Sequence, residues 1–120
     1  MMNKPIQARG HGIIDYLFAA VQLGVPSALG LNPRFTKAYA LLGTGFLTIN
    51  ALTDTPVGIK RVISLKGHQR ADALFLTGLA ALTLAGFIRR KPAARSFHLL
   101  FLGTAVANYL LTDYDSQQHL

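Results

Sequence analysis

The chain has 120 residues, of which 51% are hydrophobic and only 14% charged, with no cysteine. That length excludes a second full-sized domain, and the lack of thiols excludes disulfides, thiolate zinc sites, iron–sulfur clusters and cysteine nucleophiles. In a soluble protein the formal net charge of +7 would point to nucleic acid, but the twelve Lys and Arg are confined to the amino-terminal arm and the connections between apolar runs, where they meet lipid phosphates.

The arm MMNKPIQARG carries Lys4 and Arg9 and shows no small-x-small cleavage site before the apolar run that follows, so the first helix is expected to stay. Four runs are free of charge: 16–33, 38–53, 73–88 and 96–112. Each falls a little short of the roughly 20 residues that cross a hydrocarbon core, a gap closed by interfacial flanks and snorkelling basic side chains. Leu, Ala, Gly and Thr occupy every face of these runs, which predicts an all-α, four-helix transmembrane bundle in a bacterial inner membrane. The expected breaks are Asn32-Pro33, Thr55-Pro56 with Gly58, and Lys91-Pro92, and Pro26 is expected to kink or end the first helix. Residues 57–67, VGIKRVISLKG, alternate apolar and basic positions at helical spacing, so a short amphipathic surface piece is predicted there, with Lys60, Arg61 and Lys66 contacting lipid phosphates. Tyr16, Tyr39, Tyr109 and Tyr114 fall near the run ends, as an aromatic belt requires.

Laying the second half on the first reveals a repeat. Residues 10–31 align with 67–87 at an offset of 57, pairing His11 with His68 and Asp15 with Asp72. Residues 43–54 resemble 103–113, pairing Thr53-Asp54 with Thr112-Asp113. Each half, about 10–54 and 67–113, reads as one helical hairpin within a single membrane domain, and two crossings per hairpin make the repeats parallel. Alternating helix direction then brings His11, Asp15, Asp54, His68, Asp72 and Asp113 to one end of the bundle. The Gly-His-x3-Asp starts, Pro26-Ser27 late in the first run, the Leu-Thr-Asp ends and the duplication resemble the SPW-repeat family of small bacterial membrane proteins. The family's Ser-Pro-Trp is represented here by Pro26-Ser27 in reversed order and without Trp, as in a divergent relative. The resemblance implies four membrane helices and no settled activity.

Three readings of the six-residue cluster follow from its chemistry. The leading one is a structural or accessory membrane module whose polar residues cap helices and pair with Arg9, Arg61 or Arg70. The alternative is a membrane enzyme or carrier in which neutral imidazoles and carboxylates hold a divalent metal, or the two histidines hold a haem axially. The third is proton or ion conduction through titratable side chains. His98 has no carboxylate near it and is expected to be interfacial, His119 falls in a tail, and Asn50 or Asn108 serves as an interhelical strut or extends the cluster; Thr48 is a further strut candidate. Six Lys and Arg fall on each side of the bundle, and net charges of 6 − 5 = +1 and +6 favour placing residues 34–37 and 89–95 in the cytoplasm. The equal count also permits insertion both ways, from which an antiparallel homodimer would follow.

Overall fold

A computed structural model describes residues 4–115, and within them the chain is helical. Helices α1 (Ala8–Ala28), α2 (Pro33–Ala51), α3 (Leu65–Leu82) and α5 (Pro92–Leu111) are long, and α4 (Gly86–Arg89) is a single turn. Local chemistry sets their ends. Asn32 Oδ1 accepts the Phe35 N–H at 3.0 Å with Pro33 in the first turn, and Ser64 Oγ accepts the Gly67 N–H at 3.0 Å, so the first orphan donors of α2 and α3 are satisfied. Pro26 ends α1 rather than kinking it: the helix stops two residues later, at Ala28, and the chain turns through Gly30 at φ +68°. There the Leu31 N–H reaches the Pro26 carbonyl and the Gly30 N–H reaches that of Ser27, both at 3.0 Å, a left-handed closure that suits glycine.

Two expected elements take another form. The run 73–88 is broken, because the Leu79 carbonyl accepts from Thr83 Oγ1 at 3.3 Å and from His98 Nε2 at 3.0 Å. The backbone tightens over Thr83, Leu84 and Ala85 into bonds to Ala80, Ala81 and Leu82, and α4 follows as a separate turn. Nor is 57–63 an amphipathic helix. The Ile59 and Lys60 N–H groups go to the Ala51 carbonyl and those of Val62 and Ile63 to Leu52, so this segment satisfies the open end of α2 instead of forming a helical ladder of its own.

The repeat is visible in the backbone. Ile63 bridges Thr53 in parallel, and Ile6 bridges Thr112 in the same way. The Asp54 N–H donates to the Ile63 carbonyl and the Asp113 N–H to the Ile6 carbonyl, each at 2.7 Å. A short strap before α1 and another before α3 thereby tie down the ends of α5 and α2.

Side chains are distributed against the usual rule for a protein in water. Phe35, Tyr39, Leu79, Ile88, Ala94, Phe101 and Ala105 form the apolar core, with Phe35 and Tyr39 stacked at 4.4 Å. Yet the interior also holds His11, Asp15, Gln22, Asn50, Thr53, His68, Asp72 and His98, while Leu41, Leu74 and Leu100 are 68%, 75% and 74% exposed. Among the described residues no helix is long and apolar enough to cross a membrane.

A Cβ at Gly58 would collide with the Thr53 carbonyl oxygen, whereas one at Gly24 meets nothing within 4 Å. Gly58→Ala is therefore expected to cost about 1–3 kcal/mol through the forced backbone shift, and Gly24→Ala to be neutral or stabilising by up to about 1 kcal/mol. Thermal unfolding of the two variants followed by circular dichroism checks the contrast.

Candidate functional site

His11 and Asp15 sit four residues apart on α1, and His68 and Asp72 four apart on α3, so each pair shares one helix face. The two faces meet. His11 Nε2 lies 3.0 Å from Asp15 Oδ2 and 3.0 Å from Asp72 Oδ2, and His68 Nε2 lies 2.8 Å from Asp15 Oδ2 and 3.2 Å from Asp72 Oδ1. The two Nε2 atoms are 3.2 Å apart, with the rings nearly perpendicular. All four side chains are buried, Asp15 at 0% exposure. A small cavity of about 10 Å³ lined by Asp15, Asp72, Asn108 and three phenylalanines adjoins them, room for at most about one water.

The outer nitrogens are held by residues that sequence reasoning passed over. His11 Nδ1 is 2.7 Å from Thr112 Oγ1, and His68 Nδ1 is 2.7 Å from Thr53 Oγ1. Each hydroxyl already donates its proton one turn back, Thr112 to the Asn108 carbonyl and Thr53 to that of Ile49. Both therefore accept from the imidazoles, which assigns a proton to each Nδ1 and points each Nε2 at the carboxylates. The grip is crossed: Thr53 of the first repeat holds His68 of the second, and Thr112 of the second holds His11 of the first. The carboxylates are oriented in turn, Asp15 Oδ1 by Asn108 Nδ2 at 3.2 Å and Asp72 Oδ2 by the Tyr114 hydroxyl at 2.7 Å.

Of the six residues expected to converge, the structure brings four within 4.8 Å of one another: His11, Asp15, His68 and Asp72. Asp54 and Asp113 lie outside this set. Their backbone N–H groups close the straps, and it is the preceding threonines whose side chains reach the centre. The repeated Leu-Thr-Asp was the available signal, with its weight on the hydroxyl and not on the carboxylate. Asn108 does extend the cluster, whereas Asn50 braces the helices by donating to the Gly12 carbonyl at 2.8 Å. Thr48 bonds within its own helix, to the Thr44 carbonyl.

Three further expectations are corrected. His98 is no interfacial residue: it is fully buried, accepts from the Tyr39 hydroxyl at 2.8 Å and donates toward Thr83 and Leu79. Tyr39 and Tyr114 are interior side chains rather than members of an aromatic belt. A haem between His11 and His68 is excluded by space, since Nε2 atoms 3.2 Å apart leave no room for a porphyrin. Lys66 pairs with Asp115 on the surface, and His119 lies outside the described residues.

Two carboxylates and two imidazole nitrogens packed this closely require positive charge among them, because four lone-pair bearers in a dry site repel. A proton on each Nε2 or one divalent cation meets that need. No family model, curated protein or solved structure matches the chain.

Thr53→Val and Thr112→Val should each cost about 1–3 kcal/mol by orphaning a buried Nδ1–H, and the double variant should depart from additivity because both act on one centre.

Proposed function

We propose that this protein is a small membrane-embedded helical module, built from two repeated hairpins that a buried His/Asp centre locks together. The observation that carries this reading is the inverted distribution of side chains, with polar groups inside and leucines outside. Helices of 18 to 21 residues measure about 27–32 Å at 1.5 Å per residue, which matches a hydrocarbon core of about 30 Å. Their average apolarity is lowered by His, Asp, Gln, Asn and Thr, and such residues in membrane bundles face the interior and pair with one another. Exposed Leu17, Leu41, Leu74, Leu84, Leu100 and Leu110 provide the lipid-facing surface.

The basic loop fits the same setting. Ile59 and Val62 are 82% and 62% exposed beside Lys60 and Arg61, an arrangement in which apolar side chains enter the interface and cations meet phosphates. The resemblance to SPW-repeat proteins supports the same reading. The lock supports an accessory or structural role: both imidazoles and both carboxylates of the centre are engaged by other parts of the same chain.

Leu100→Arg separates bilayer from water. In mid-bilayer it costs roughly 2.5–3.5 kcal/mol of insertion, so membrane-integrated, carbonate-resistant protein should fall sharply, whereas on a watery surface the change stays within about 0.5 kcal/mol. Single cysteines placed at Lys4 and Asp115 should label from one side of the membrane, and those at Asn32 and Lys91 from the other.

A further inference from the structure

We propose that His11 Nε2, His68 Nε2 and one oxygen each of Asp15 and Asp72 bind a single divalent transition-metal ion, with Zn²⁺ the best fit. The assignment builds on the reading of this centre as the lock between hairpins, naming the cation that closes it. It does not depend on the bilayer.

Distance comes first. Four tetrahedral ligands at the 2.0–2.1 Å typical of Zn–N and Zn–O stand about 3.3–3.4 Å apart. The two Nε2 atoms stand 3.2 Å apart and lie 3.0 and 2.8 Å from Asp15 Oδ2, while Asp72 offers Oδ2 to His11 at 3.0 Å and Oδ1 to His68 at 3.2 Å; with one ligand atom from each residue the set lies within 4.8 Å, so an ion enters with a modest adjustment of the ligands. Ca²⁺, with oxygen ligands at about 2.3–2.6 Å in sixfold or higher coordination, requires a larger and richer oxygen cage. Mg²⁺ demands octahedral oxygen, whereas half of the donors here are imidazole nitrogens.

Proton accounting points the same way. The threonine hydroxyls fix a proton on each Nδ1, so in neutral imidazoles both Nε2 lone pairs face the carboxylates, the tautomer that metal-binding histidines adopt when their other nitrogen is held from behind. Protonating both Nε2 atoms supplies only two N–H bonds for four N···O contacts, and aims the two N–H groups into one small space. A single dication engages all four ligands and leaves the centre neutral against two carboxylates. Asn108 on Asp15 and Tyr114 on Asp72 complete the outer support. With four protein ligands such a site is of the closed, structural kind.

The test uses the full chain purified in detergent without a polyhistidine tag. After chelator treatment, Zn²⁺ loading and dialysis, elemental analysis should find about one metal per chain, and Co²⁺ loading should give the intense visible bands of tetrahedral coordination. His68→Gln and Asp72→Asn should lose the metal. Thr112→Val, which removes no ligand, should weaken Zn²⁺ binding by about 10- to 100-fold in chelator competition, a measurement that holds even where a ligand variant fails to fold. Wild-type protein that retains no stoichiometric metal, a weak octahedral Co²⁺ spectrum, or full metal content in folded His68→Gln and Asp72→Asn each overturn the proposal. If the wild type holds no metal but these variants still melt early, the lock survives and the metal falls; if metal binds yet its removal leaves the melting temperature unchanged, the lock falls.

Discussion

Two aspartates and two histidines buried within about one hydrogen-bond length of each other cannot stay together without positive charge, and the rest of the fold is arranged around meeting that need. Left unpaired in a dry interior, a carboxylate costs several kcal/mol. Because the ligands come from α1 and α3, the charge they share acts as a bond between hairpins. Opening the bundle would expose or strand all four groups together, so the centre contributes cooperativity as well as stability.

The neighbours of the centre serve its orientation. Each imidazole is gripped from behind by a hydroxyl of the other repeat, and each hydroxyl is positioned because its helix end is fastened by a strap, Ile6 on Thr112 and Ile63 on Thr53. The turn at Gly58 fits against the Thr53 carbonyl where no Cβ could go. The duplication is functional in a physical sense: either repeat alone offers one histidine, one aspartate and a threonine whose partner is missing. At the other end of the bundle, where Tyr39, His98, Thr83 and Leu79 join through hydrogen bonds, a neutral network and the aromatic stack of Phe35 and Tyr39 do the corresponding packing without charge.

A polar interior and a leucine-rich exterior belong to one design. In the proposed membrane setting, helices would gain nothing by hiding leucine from lipid, and close packing and polar contacts would take over as the forces that hold them. Gly43 illustrates the packing side, since a Cβ there would press on Gln22 and Leu23 of α1. The His/Asp centre illustrates the polar side.

Much of this was legible in the residues. Charge-free runs bounded by Pro and Gly marked four long helices, since punctuation and periodicity are local properties. The offset of 57 between His11-x3-Asp15 and His68-x3-Asp72 marked the centre, because identical spacing on duplicated helices places equivalent groups around one axis. Register was not legible. Whether Thr53 or Asp54 turns inward depends on where the strap pins the end of α2, a contact made by Ile63 through its backbone and thus invisible to any side-chain pattern. The break after Leu82 likewise depends on His98 of another helix taking the Leu79 carbonyl. Sequence by itself determined which groups could meet, through spacing and repetition; the tertiary structure alone decided which atoms do, because that is set by long-range hydrogen bonds between main chain and side chain.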